Sequence, residues 1–245
     1  QKGVMETYGR NIDAVKGSLS TASTNVKATG EDRSRALQLA NQAATDTYSD
    51  AERRNMAGEV NGILEDVLRR SHAQYRGEYV FSGRQHDSAP FSVERDHAGD
   101  ITEVKYTGSN EATSASVGPQ RGAKVNMVGR DYFQRGTDVF GTLIDLREAM
   151  KSGDNERIRA LVDDVEDAHQ SLSDARAELG MRLDDMKMLD KSLADLATTA
   201  QEQISDLADT DMADASIRFN RRMSSLQTVL KVASKAVPPS LVNIL

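Results

Sequence analysis

"IRALVDDVEDAHQSLSDARAELGMRLDDMKMLDKSLADL", Ile158 to Leu196, is the stretch whose reading decides the fold. Its apolar residues return at Ile158, Leu161, Val165, Ala168, Leu172, Ala175, Leu179, Leu183, Met186, Leu189, Leu193 and Leu196. The line continues through Ala200, Ile204 and Leu207. Steps of three and four alternate around a mean near 3.5, which keeps one narrow stripe of a helix on a partner helix. A stripe this long needs cover along its length, and other helices of the chain must supply it. Met186 sits in the stripe as core filling, rather than forming a plastic recognition face with Met181 and Met188.

Outward from this run, Ser152-Gly-Asp separates it from a shorter helix over Asp138 to Met150. Near the start of the chain, Ile12, Val15, Leu19, Ala22 and Val26 mark another helix. It continues past Gly30 through Ala36, Leu37, Ala40 and Ala43 and ends near Thr45 to Tyr48. At Ser49 the run Ser-Asp-Ala-Glu reads as a capping box, with Ser49 and Glu52 satisfying each other's amides. The second helix has its stripe at Met56, Val60, Ile63, Val67 and Leu68 and reaches about Tyr75, where Gly77 ends it. The short connection makes these two helices antiparallel neighbours, and together they are long enough to cover much of the long stripe.

Between Gly77 and Arg130 the helical period disappears. Phe91-Ser-Val-Glu and Ile101-Thr-Glu-Val-Lys-Tyr alternate as strands, joined by Asp96-His-Ala-Gly-Asp100, whose Gly99 suits a turn needing positive φ. Further strands are expected near Ala112 to Val117 and Ala123 to Val128. The fold class is therefore mainly α: an elongated antiparallel helical bundle or coiled-coil rod with a small antiparallel β insert and a C-terminal amphipathic tail helix. The expected divisions are 1–76 and 138–200 for the two parts of the rod, 77–137 for the insert and 201–245 for the tail.

Composition excludes several functions. The formal charge is −7 with both signs interspersed, and Arg218, Arg221 and Arg222 are too small a basic cluster for nucleic acid. Cysteine is absent, so neither a disulfide frame nor a thiolate metal site exists. No apolar run approaches the roughly 20 residues that span a bilayer. His72, His86, His97 and His169 show no ligand spacing, and Asp163/Asp164 and Asp184/Asp185 point different ways around a helix. Gly118-Pro-Gln-Arg-Gly122 lacks the lysine of a phosphate loop and reads as a turn, and Ser82 lacks a nucleophile elbow. No enzyme, cofactor or metal site is expected.

The tail continues the apolar pattern through Ile204, Leu207, Met212, Ile217, Phe219, Met223, Leu226, Leu230 and Val237, and no unassigned helix remains to cover it. Ordering this segment with nothing to bury against is unfavourable, so by itself it should be loose and become ordered on joining other subunits. The alternative is that it folds back on the bundle as a further layer. The first residue is Gln1 and the apolar period starts almost at once, so the sequence is expected to begin inside a longer polypeptide.

With these elements in place, the chain resembles the bacterial flagellin-type axial proteins. Members carry a "GxYxFSG" segment followed by a polar turn and "PF". Here it reads Gly77-Glu-Tyr79-Val-Phe81-Ser82-Gly83, then Arg-Gln-His-Asp-Ser-Ala-Pro90-Phe91. Tyr8-Gly-Arg-Asn-Ile-Asp-Ala, Asp209-Thr-Asp-Met-Ala-Asp-Ala-Ser-Ile and Gln227-Thr-Val-Leu agree as well, so that all but the β insert is covered. Flagellins tend to have an "IFNG"-like version of the first motif, so Phe-Ser-Gly leans toward the hook-filament junction members.

The resemblance implies an inner coiled coil made from both chain ends. Of that pair the C-terminal helix is expected in this sequence, and its N-terminal partner is expected to lie outside it. It also implies a secreted structural subunit of the flagellum, exported through the type III apparatus without a cleavable signal. The implied partners are further copies of itself, a hook-associated protein and flagellin, with a cytoplasmic export chaperone on the C-terminal helix. Nucleic acid and membrane are not among them. The residues expected to carry assembly and chaperone binding are Ile217, Phe219, Met223, Leu226, Leu230 and Leu245. Tyr79 and Phe81, on one face of a short strand, and Gly83 are expected to form a structural corner at the end of the rod. The alternatives are the bulk filament subunit, a membrane-active helical translocator, which the tail's acidic residues disfavour, and an enzyme housed in the insert.

Overall fold

A computed structural model describes residues 2–236, and the chain divides into two units, Gln1–Lys191 and Ser192–Leu245. In the first unit, helix α1 (Lys2–Ala43) runs to a short turn and α2 (Asp50–Ser71) returns antiparallel to it. The return starts at the expected capping box: the Ser49 hydroxyl accepts from the Glu52 amide at 3.4 Å, and the Ser49 amide donates to the Glu52 carboxylate at 2.7 Å. Arg53 is buried at the turn and donates to the carbonyls of Ala43 and Thr45, closing the end of α1. Farther along, Arg35 meets Glu59 and Arg70 meets Asp32, as antiparallel helices require.

The inner face of α1 is the expected stripe with one exception: Leu39 is buried and Leu37 only half-buried. In α2 the same kind of shift makes Ala57 and Leu64 core and leaves Met56 half-buried. In each helix a neighbouring position completes an equally good period, and packing on the adjacent helix chooses between them.

The second helix ends at Ser71 rather than near Tyr75, and Gly77 is not its stop. Strands β1 (Gln74–Tyr75) and β2 (Glu78–Tyr79) form a small hairpin whose two turn residues, Arg76 and Gly77, both have positive φ. That is the geometry whose twist matches paired strands, and glycine adopts it without strain. β3 (Phe91–Arg95) and β4 (Ile101–Tyr106) pair antiparallel in register Phe91 to Tyr106, with a bulge at Glu94/Arg95. Gly99 supplies φ +90 in their turn, as expected. β5 (Ser114–Gly118) and β6 (Arg121–Lys124) form a third hairpin, in which the expected turn is confined to Pro119 and Gln120 and the residues on either side of it are paired.

A short helix α3 (Arg130–Phe133) and then α4 (Val139–Ser152) follow, the latter capped by Asp138, whose carboxylate accepts from the Phe140 amide at 2.9 Å. Helix α4 packs on α2, where buried Arg147 donates to Asn61 at 2.7 Å and to the Ile101 carbonyl at 2.6 Å. Helix α5 (Asn155–Ala236) then runs antiparallel to α1. Arg159 reaches the Ala44 carbonyl and Asp46, Arg33 donates to the Val165 carbonyl, and Lys16 pairs with Asp190. Ile158, Val165, Leu172, Leu179 and Met186 are buried along this contact. From Ile158 to Met186 the long stripe thus finds its cover in α1, while Leu196 and Ile204 farther along it are exposed and α2 takes α4 as a packing partner.

In the second unit, the tail that was expected to be loose is helical through Ala236. The residues from Ser192 to Ala236 contain neither Gly nor Pro and are rich in Ala, so the helix meets its own backbone hydrogen bonds at little propensity cost. None of the described large apolar side chains of this unit is buried.

Candidate assembly surface

Four of the five phenylalanines make one cluster in the first unit. Phe81, Phe91, Phe133 and Phe140 contact one another with ring centroids 5.1–5.8 Å apart, and Tyr132 and Tyr106 close its sides. Burial pushes the Tyr106 and Tyr132 phenols up to about 12 and keeps them neutral. The fifth phenylalanine, Phe219, is 63% exposed on α5.

Around Phe219 the sequence-predicted assembly residues are all on the surface: Ile217, Met223 at 41%, Leu226 and Leu230 are exposed, and Leu245 lies outside the described residues. At 3.6 residues per turn, Phe219, Met223, Leu226 and Leu230 fall within about 60° of one another, with Met212 on the same line. Ile217 is about 150° away, on the other side of the helix. The helix therefore gathers four of the predicted residues into one stripe and separates the fifth. Burying such a stripe returns about 1.5–3 kcal/mol per large side chain, which its own unit leaves unrealised among the described residues.

The predicted corner takes a different form from the expected strand. Tyr79 lies in β2, half-buried, with its ring edge-on to His72 at 6.2 Å. Phe81 lies beyond the strand and is fully buried. The two are not on one strand face, because the chain leaves β2 after Tyr79 and knits into the segment before α3. Met127 donates to the Val80 carbonyl at 2.8 Å, Gly129 to the Phe81 carbonyl at 2.7 Å, and Gly83 to the Met127 carbonyl at 2.9 Å. Gly83 has φ +60, and a Cβ there would stand 2.2 Å from the Ser109 carbonyl oxygen.

Val80 and Asn126, which sequence reasoning passed over, are both buried at this knot, and Asn126 donates to the Gly83 carbonyl at 2.6 Å. Phe91 was within the quoted motif, and its pairing with Pro90 was the available signal for a buried anchor.

Among the described residues no group of histidines and carboxylates could hold a metal ion, and no helix is long and apolar enough to cross a membrane.

Comparison with known families falls on the same helix. Residues 162–245 match the family model of the bacterial flagellin C-terminal helical region. Through this segment, about a third of the chain, it is similar to the flagellin C-terminal family. Over 222 residues it is 26% identical to the flagellar hook-associated protein 3 of Escherichia coli (strain K12), covering 79% of this chain and 65% of that relative. The corresponding protein of Salmonella typhimurium is 23% identical over 77% of this chain and 65% of its own length. The chain thus spans about two thirds, 65%, of the curated relatives it matches.

Two solved structures share the fold. That of hook associated protein-3 from Legionella pneumophila has a TM-score of 0.73 at 13% identity, covering 84% of this chain and 97% of that one. FlgL from Xanthomonas campestris has a TM-score of 0.72 at 14% identity, covering 83% and 98%. The mainly helical architecture with a small β insert is therefore a fold this chain shares with those two proteins.

Proposed function

We propose that the chain is a structural, non-enzymatic subunit of the bacterial flagellum that joins hook to filament as a hook-associated junction protein. The observation that carries this reading is the exposed stripe of Phe219, Met223, Leu226 and Leu230, which lies within the segment matched to the flagellin C-terminal region. An apolar stripe of that length on a long helix is suited to subunit packing and has no use in catalysis. The relatives named flagellar hook-associated protein 3 support the junction role over that of bulk filament subunit.

In this reading the protein works outside the cell after type III export. Its neighbours are other axial proteins, and a cytoplasmic chaperone shields the stripe beforehand. The β3–β4 turn at Gly99 is exposed and offers a place for a label. Labelled there, the protein is expected at the boundary between hook and filament and nowhere else on an isolated flagellum. Label spread along the filament would overturn the junction role in favour of a filament subunit, and no label on flagella would overturn both.

A further inference from the structure

The chain has nine methionines and neither cysteine nor tryptophan, so thioethers are its most readily oxidised side chains. Exposure sorts them. Met127, Met150 and Met186 are buried, Met5 and Met56 are half-buried, and Met181, Met188, Met212 and Met223 are exposed. Two of the exposed four are on the Phe219 line. At 3.6 residues per turn Met212, Phe219 and Met223 fall within about 40° of one another, so a thioether stands on either side of the phenylalanine along the helix. Met212 is 68% and Met223 41% exposed, which leaves both side chains open to a small oxidant in solution.

Hydrogen peroxide is such an oxidant. The thioether sulfur attacks one peroxide oxygen, an S–O bond forms as the O–O bond breaks, and the proton on the transferred oxygen passes to the departing hydroxide, which leaves as water. The sulfur gives up two electrons and the peroxide takes them. The product is a sulfoxide, which puts a polar oxygen on a side chain that was apolar. Burying that oxygen without a donor carries the desolvation penalty of any unpaired polar group.

We infer that Met212 and Met223 are peroxide-sensitive modification sites that set whether the Phe219 stripe can dock. The inference rests on the reading of that stripe as the assembly surface. As thioethers the two residues extend the apolar line in both directions from Phe219; as sulfoxides they interrupt it on both sides. The chain holds no thiol, so reversal needs an external one, delivered by a sulfoxide reductase.

The test has a chemical arm and a cellular arm. When the purified 245-residue chain is treated with hydrogen peroxide and mapped by peptide mass spectrometry, Met212 and Met223 should each gain one oxygen at least about tenfold faster than Met127, Met150 and Met186. Met212→Gln with Met223→Gln fixes a polar side chain of similar length at each site, and glutamine is a good helix former. Cells whose only copy carries this pair should bear at least about tenfold fewer filaments. Met212→Leu with Met223→Leu, which keeps both sites apolar, should leave filament number at the wild-type value. Met181→Gln with Met188→Gln, exposed but in the first unit, should do the same. Slow oxidation at Met212 or Met223, normal filament number with their glutamine pair, or loss of filaments with either control pair would each overturn the inference. If Phe219→Asp with Leu226→Asp blocks attachment while the glutamine pair does not, the oxidation site fails and the assembly surface stands. If that aspartate pair attaches filaments normally, the assembly reading itself has failed, and the oxidation inference with it.

Discussion

At Gly83 the main chain must turn with φ +60 while the Ser109 carbonyl oxygen closes on the place where a side chain would begin. Alanine would meet both the conformational penalty and a 2.2 Å clash with main chain that is itself held by the Ser82 carbonyl. Gly83→Ala is therefore expected to cost about 3 kcal/mol or more in chemical denaturation, at the upper end for a single substitution. His72 makes a different residue-level argument. Burial, partly offset by its hydrogen bond to the Phe91 carbonyl, holds its pKa below the ordinary 6.5. The unfolded chain therefore takes up the proton first as pH falls. The stability this group contributes is complete above pH 6.5 and is lost as pH drops through the lower, folded value. Urea midpoints measured in steps downward from pH 7 should fall more steeply in the wild type than in His72→Gln before the carboxylates begin to titrate.

Helix α1 shows how two glycines in one element can have opposite meanings. Nothing lies within 4 Å of a Cβ built at Gly30, whereas one built at Gly17 would enter the Tyr75 ring at 2.1–2.5 Å. Gly30→Ala should therefore gain about 1 kcal/mol from helix propensity alone. Gly17→Ala gains the same term but forces Tyr75 off the helix, for a net loss of about 1–2 kcal/mol. Thermal melts of the two variants should shift in opposite directions. The same contrast marks what was legible in the sequence. Periodicity and caps act over one turn, so Ser49/Glu52, the Ile158 to Met186 stripe and the Gly99 turn could be read directly. Leu37 against Leu39, the end of α2 and the seat of Phe81 depend on which neighbour a residue meets across the bundle. Residue spacing carries no information about that. Ile217 and Phe219 are both apolar and close in sequence, yet two residues along a helix are about 200° apart around it.

Across the whole molecule, apolar surface is distributed unequally between the two units. Among the described residues the Gln1–Lys191 unit holds every buried core side chain, and it has all but one of the phenylalanines, while the Ser192–Leu245 unit leaves none of its described large apolar side chains buried. Phe219→Asp with Leu226→Asp separates folding from assembly, because neither residue touches the core. Each is a surface change, so the melting of the first unit should move by no more than about 0.5 kcal/mol per substitution, and helical circular dichroism should be retained. Two carboxylates on the stripe would have to be desolvated wherever another subunit packs there, a cost of several kcal/mol that docking on this face cannot absorb. Cells whose only copy carries both substitutions should make the protein at normal levels and fail to attach filaments to their hooks. If normal filaments formed, the stripe would be ruled out as the assembly surface, and the cover it needs would have to be sought on some other face of α5.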